Sequence, residues 1–373
     1  MTFAITPERS FEVAVIGGGL VGAATAYGLA GLGLKTAMLD EGDIAFRAAR
    51  GNTTLVWVQG KGANFPAYTA WTVEAALAWP GFAADLKDVT GIDVNYQRSG
   101  GLKFCLGEQE FEERSALISR IDHSDRQATT EMLGRDALLD IYPGLGPQVV
   151  GASYNPMDGQ VDSLLLIRAL HAGYQNRGGH YLPHHGVEDI RHDQGSYVLS
   201  GGGGEIRAEK ILLAAGIANG RLAEKAGLYG GVKPIRGQVL VSEKVRPCLP
   251  VPATDLVQTD AGGLLIGNIE EDAGYDESTH LDALSGMARR AVATFPFLEA
   301  VQIVRAWGAL RVMTEDGNPI YHQSETSPAA FCASTHSGVT LASLHATTVA
   351  RWVAGKDPGA ELAAFHPERF HVH

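Results

Sequence analysis

Three observations in the amino-acid sequence predict an α/β fold of mixed α+β character, with a parallel-sheet nucleotide domain interleaved with a strand-rich domain. The first is a short apolar run, residues 11–16, that passes directly into Gly17, Gly19 and Gly22 at G-x-G-x-x-G spacing. The second is another buried-type strand, residues 35–39, that ends on Asp40. The third is the return of the same strand type downstream, at residues 210–215 and 330–334, after blocks of different character.

Each part of the opening unit has a physical role. A β-branched apolar run without alternation suits a strand covered on both faces. Gly17 permits the sharp turn, Gly19 lets a pyrophosphate approach the backbone, and Gly22 lets the next helix pack close to the strand. That helix, residues 21–31, begins beside Leu20 and Val21, where free N–H groups and the positive dipole end face the phosphates. Asp40 lies about 20 residues beyond the glycines, where an acid accepts hydrogen bonds from a ribose hydroxyl. Glu41 follows it in a turn. Strand, glycines, helix, strand and acid together predict a Rossmann-like domain with a bound dinucleotide. They do not separate NAD from FAD.

Length and composition narrow the class. A chain of 373 residues holds two domains and a large core. A formal charge of −12 argues against a nucleic-acid surface or tight binding to an anionic membrane. No apolar run reaches the roughly 18 residues of a membrane span. The first ten residues lack the blocks of a signal peptide, so the expected setting is the cytoplasm. Cys105, Cys248 and Cys332 are widely spaced and form no CxxC, which points to reduced thiols rather than a metal centre. The histidines between residues 171 and 192 lack metal-ligand spacing, so no metal is expected.

After Asp40 the segment Arg47, Ala48, Ala49, Arg50, Gly51 and Asn52 combines small residues with two arginines, as a phosphate and ring clamp would. Residues 55–62 are mostly apolar, and Lys61 is their one cation. A long helix is expected over 67–88, interrupted at Pro80-Gly81. Strands are expected over 94–106 with Gly100-Gly101 as their turn, and helices over 108–123 and 131–139. A strand at 151–155 leads to Asp158-Gly159, then to Asp162 as N-cap of a helix over 164–176. Residues 197–208 read as a hairpin turning on the glycine run 201–204. The strand at 210–215 closes on Ala214, Ala215 and Gly216, small residues that let a ligand lie against the backbone. Strands follow at 232–242 and 264–268, and an amphipathic helix at 281–295 ends at Pro296. The strand 301–310, which contains Gly308, leads into Arg311. After the strand at 330–334 come His336, Ser337, Gly338, Val339 and Thr340 and a final helix, 341–354.

Taken in order, the glycine turn with Asp40, the Arg47–Asn52 segment, Asp158-Gly159, Ala214–Gly216, Trp307–Arg311 and His336–Thr340 resemble the glycine oxidase and D-amino-acid oxidase family of FAD enzymes along nearly the whole chain. Within the family the likeness is greatest to catalytic subunits of heteromeric amine dehydrogenases, such as opine oxidases, D-hydroxyproline dehydrogenase and hydrogen cyanide synthase. The resemblance implies a discontinuous FAD-binding domain over residues 1–90, 151–230 and 306–373, and a substrate domain over 91–150 and 231–305. It implies that Gly17, Gly19 and Gly22 hold the pyrophosphate, Asp40 the ribose, and residues 47–52 the phosphates and one flavin face. Val187 would meet the adenine through its backbone, and residues 336–340 would run beneath the pyrimidine edge.

The resemblance further implies that Arg311 binds the substrate carboxylate through two parallel hydrogen bonds. The family's tyrosine partner has no evident match, since Leu256-Val257-Gln258 occupies its place. Hydride would leave Cα for the flavin, with His336 orienting substrate or flavin and Lys61 as the alternative carboxylate site. Other subunits, carrying further electron-transfer cofactors, would complete the assembly. Two other readings stay open: a self-sufficient oxidase using oxygen, and a flavin-carrying but catalytically silent assembly subunit.

Overall fold

The computed structural model describes residues 10–42, 48, 51, 53–121, 129–357 and 359–370. Its larger sheet runs Ile320–Gln323, Ala330–Ser334, Gly204–Leu213, Ser10–Ile16, Thr36–Leu39, His180–Leu182. Ser10–Ile16 is parallel to both of its neighbours. Its last four residues, Val13 to Ile16, are at most 3% exposed, which explains the unbroken apolar run. Alternation still governs the faces. Val13 and Val15 enter the core shared with the helices Leu20–Gly31 and Ser163–Asn176, whereas Ala14 and Ile16 face the opposite core with Leu213 and Cys332. The antiparallel strands Val187–Asp193 and Ser196–Gly201 extend the first half of Gly204–Leu213.

The second sheet is antiparallel, ordered Leu256–Gln258, Gly263–Ile266, Val232–Lys244, Ile303–Thr314. A three-stranded ladder of Gly101–Leu106, Val149–Asn155 and Glu131–Gly134 meets it through a bridge between Leu102 and Ala253. Phe104, Tyr142, Met287 and Phe295 fill the core between these strands and the helix Leu281–Thr294.

Packing overrides local signals in four places. The helix Pro66–Thr90 continues through Pro80. A proline inside a helix costs about 3 kcal/mol, and burying the adjacent Trp79 and Phe82 offsets it at about 1.5–3 kcal/mol per side chain. Residues 94–100 are not a regular strand, and only Gly101–Leu106 enters a ladder, because the preceding residues have one isolated bridge, Gln97 to Gln160. The helix expected over 131–139 is a strand, Glu131–Gly134, and then a helix, Arg135–Ile141, since Val149–Asn155 offers a free edge for pairing. The strand expected to stop at residue 310 runs on to Thr314, so Arg311 lies within it, opposite Ile235.

Gly28 marks a close contact between helices. A Cβ there would stand 2.0 Å from the Ala346 carbonyl oxygen and 2.6 Å from the Ala350 Cβ. Alanine should gain about 1 kcal/mol in helix propensity, yet the backbone clash costs about 1–3 kcal/mol or more. Gly28→Ala should therefore lower the denaturation midpoint; an equal or raised midpoint would mean that the helices part freely here.

Candidate active site

The glycine turn is shaped by contacts a side chain would break. A Cβ on Gly17 would meet the Ala214 carbonyl oxygen at 2.4 Å, and one on Gly22 would meet the Gly17 carbonyl oxygen at 1.9 Å. Gly17 also has φ of 109°, which favours glycine. A Cβ on Gly19 has no protein atom within 4 Å, because that position faces a cavity of about 1230 Å³. This volume exceeds the ~300–1,000 Å³ of ordinary small-molecule pockets. It has room for a dinucleotide together with a substrate.

Gly19 caps the helix Leu20–Gly31 without a side-chain hydrogen bond, and the first turn holds no acid. Leu20 and Val21 line the cavity with it, so uncapped N–H groups and the dipole's positive end stand at the wall. Gly17, Glu41, Ala48, Gly51, Ala214, Ala215, Gly216 and residues 336–340 line the same cavity. These features fit a flavin dinucleotide. Gly22 lies behind the wall. So does Asp40, whose carboxylate accepts the N–H groups of Gly18 at 2.6 Å and Gly42 at 3.0 Å. Asp40 thus holds the turn, and Glu41 beside it lines the wall, as Glu270 and Glu277 do elsewhere. Val187 sits in the core and does not line the cavity; its carbonyl accepts from Arg221, which does. Arg47, Ala49, Arg50 and Asn52 lie outside the described residues.

The opposite wall comes from the second sheet and includes Trp307, Gly308 and Arg311. Arg311 reaches the cavity by crossing its neighbouring strand at Gly237, where a Cβ would lie 2.9 Å from the guanidinium carbon. Its Nη1 donates to the Ile269 carbonyl and stands 3.5 Å from the Glu270 carboxylate. That glutamate is 57% exposed, so it screens rather than fully neutralises the cation. Burial lowers the Arg311 pKa and Glu270 opposes the shift.

His336 stands within the field of both Lys61 and Arg311. Burial first, then these two cations, push its pKa down to about 3. The imidazole is therefore neutral at ordinary pH, able to donate and accept one hydrogen bond each. Beside it, Ser337 Oγ pairs with Tyr68 Oη at 2.6 Å, and Thr340 Oγ1 accepts the Trp57 N–H at 3.0 Å. Lys61 Nζ lies 5.9 Å from the Tyr68 ring centroid.

A buried network anchors the strap that carries Trp57 and Lys61. Asp158 accepts the Val58 N–H at 2.5 Å and the Gln59 side-chain N–H at 2.7 Å. Gln59 Oε1 in turn accepts from Arg114 at 2.8 Å and Ser153 at 2.5 Å. Burial lifts the Asp158 pKa to about 7, against the hydrogen bonds that favour the ion. Thr53, Leu55, Trp57, Thr254 and Tyr275 also line the cavity, and motif reading misses them because each depends on long-range folding. Among the described residues no group of three or more His, Cys, Asp or Glu could hold a metal ion.

The loop geometry and the buried imidazole can each be tested. Gly19→Val should fold with near-normal stability and fail to retain a dinucleotide; full retention in the purified variant would place the phosphates elsewhere. The second test concerns acid stability. With a folded pKa of about 3 against an ordinary 6.5, His336 takes up a proton more readily in the unfolded chain. Its contribution is present above about pH 6.5 and is lost as pH falls toward 3. His336→Gln should make the acid limb of the stability profile shallower; an unchanged slope would mean that the imidazole protonates freely in the fold.

Known proteins share this architecture. Residues 12–352 match the family model described as FAD dependent oxidoreductase. The chain is 42% identical to an opine oxidase subunit of Agrobacterium tumefaciens (strain Ach5), over 97% of this chain and 98% of that one. It is 39% identical to the corresponding opine oxidase subunit of Rhizobium meliloti, over 96% and 97% of the two chains. The crystal structure of glycine oxidase from Geobacillus kaustophilus superposes with a TM-score of 0.89 at 25% identity, covering 96% of this chain and 98% of that one. With the glycine turn, the cavity and these likenesses together, the chain belongs to the D-amino-acid-oxidase-type family of FAD-dependent oxidoreductases.

Proposed function

We propose that this enzyme oxidises a carboxylate-bearing amine, an amino acid or an N-substituted amino acid of the opine type, as the catalytic subunit of a hetero-oligomeric dehydrogenase. The observation that carries the reading is the placement of Arg311 on the wall of the glycine-lined cavity, with an exposed glutamate as its one ion-pair partner among the described residues. FAD, when bound, supplies the two-electron acceptor for the hydride of the Cα–H bond. Gly17, Gly19, Leu20 and Val21 hold its pyrophosphate in this reading, and residues 336–340 lie along the flavin. The larger sheet serves the cofactor and the second sheet the substrate; the division at 1–90, 151–230 and 306–373 against 91–150 and 231–305 is part of the proposal, with the strands Val149–Asn155 and Ile303–Thr314 crossing its boundaries.

Arg311 would grip the carboxylate by two parallel hydrogen bonds and so fix which hydrogen faces the cofactor. Lys61 adds positive charge to the same cavity. The neutral imidazole can accept a hydrogen bond from the substrate nitrogen without repelling a cation. The product imine hydrolyses in water, so no protein nucleophile is required.

The hetero-oligomer is supported by the two relatives whose names make them subunits of opine oxidases. A reducing, cytoplasmic setting is supported by three cysteines that form no disulfide. No helix among the described residues is long and apolar enough to cross a membrane.

An anaerobic screen of opines, proline, sarcosine and D-amino acids for bleaching of the bound flavin tests the reading. Bleaching by at least one carboxylate-bearing amine is expected, and none would leave a silent assembly subunit. Purification from the native host should bring larger partner chains; a homomeric preparation fully active with oxygen would overturn the hetero-oligomer. Arg311→Ala should keep its flavin. Loss of a charge-assisted pair at a desolvated site costs about 2–5 kcal/mol, roughly a 30- to several-thousand-fold loss in kcat/KM. Arg311→Lys should recover only part, since it offers a point charge and no fork. Wild-type kcat/KM in the alanine variant would move the carboxylate site, with Lys61 next in line.

A further inference from the structure

Four buried side-chain polar atoms among the described residues lack a hydrogen-bond partner: Tyr96 Oη, Thr254 Oγ1, Trp307 Nε1 and His345 Nδ1. Tyr96 is stacked on Trp79 and His345 is sealed beside Tyr321. Thr254 and Trp307 are different, because both line the cavity. Buried polar groups are nearly always paired, so an orphan facing a ligand cavity points to a partner the ligand supplies.

Backbone contacts place the two near Arg311 on the cavity wall. Trp307 pairs with Val239, two residues along the strand from Gly237, over which the Arg311 guanidinium passes. The Gly267 N–H donates to the Asp255 carbonyl at 3.1 Å, which sets Thr254 next to Asn268. The guanidinium rests on the carbonyl of the following residue, Ile269. Thr254 lies in the turn before Leu256–Gln258, against the segment that carries Ile269, and Trp307 lies on the Arg311 strand. Indole N–H can only donate, whereas a threonine hydroxyl can donate or accept. A group that satisfies both is an acceptor oxygen. The Arg311 guanidinium, on the same cavity wall, favours one that is anionic.

We propose that Thr254 Oγ1 and Trp307 Nε1 form a substrate-specificity subsite beside Arg311, which binds a second acceptor oxygen, carried on the substituent of the amine nitrogen. The inference rests on the proposed amine oxidation and names the part of the substrate that this reading leaves open. The two hydrogen bonds act on binding and leave the reacting bond alone.

The test compares iminodiacetate with sarcosine, which differ by one carboxylate on the nitrogen substituent. Thr254→Val removes the hydroxyl with little change in shape, and Trp307→Phe removes the indole N–H while keeping an aromatic ring, with sarcosine binding as the control for its smaller size. Calorimetric binding of each amine to the flavin-loaded proteins is measured anaerobically, with flavin bleaching followed in parallel. Each variant should weaken iminodiacetate roughly 10- to 100-fold, as for hydrogen bonds to a charged group, and leave sarcosine within about twofold. Equal weakening of both amines, or of neither, overturns the subsite. Bleaching reports separately on the oxidation: selective loss of iminodiacetate binding without bleaching by either amine would retain the subsite and remove the proposed reaction.

Discussion

Everything in this molecule depends on how closely the backbone of the first strand is allowed to approach its surroundings. Gly17 lies against the Ala214 carbonyl and Gly22 against the Gly17 carbonyl, distances that admit no Cβ. The helix Leu20–Gly31 can then start directly over the end of the strand, with its uncapped N-terminus at the cavity. The parallel partners Gly204–Leu213 and Ala330–Ser334 end on the same side, so Ala214–Gly216 and His336–Thr340 arrive at one wall from opposite ends of the chain. A strand, a turn and two remote segments become one binding surface because the sheet is parallel and buried.

The second sheet contributes charge to the space the first sheet shapes. Gly237 is the enabling residue, since its missing side chain lets Arg311 span a strand and reach the cavity. The cation is largely desolvated and its glutamate partner is exposed, so it retains attraction for an incoming anion. The same field, with that of Lys61, helps burial keep His336 neutral. A cavity with fixed cations and an uncharged imidazole suits a substrate that is anionic at one end and reacts at a neutral nitrogen. The hydrogen bonds from Val58 and Gln59 to Asp158 tie the strap bearing Lys61 to the substrate-side ladder.

Much of this was legible in the sequence. The glycine spacing, the apolar strand and the small residues at 214–216 are local signals, and each appears where its chemistry requires. Asp162 caps its helix as read, accepting the N–H groups of Leu164 and Leu165. The illegible parts depend on tertiary pairing. Asp40 has the spacing of a ribose acceptor, and its carboxylate also accepts the N–H groups of Gly18 and Gly42, a turn-holding contact that no local pattern reveals. Pro80 reads as a helix stop and is carried by aromatic packing on either side. Thr254 belongs to no motif, and Trp307 stands in the Trp307–Arg311 segment with no role of its own; their unpaired atoms become visible only when the second sheet is folded around the cavity.

In this reading one cavity holds the cofactor on the larger sheet and the substrate carboxylate on Arg311 of the second. The most direct measurement is a crystal structure of the flavin-loaded protein soaked with a non-oxidisable carboxylate such as acetate. The flavin is expected along Gly17–Gly22 and His336–Thr340, with both carboxylate oxygens on the Arg311 guanidinium. A carboxylate bound away from Arg311, on Lys61 or at the cavity mouth, would contradict this arrangement.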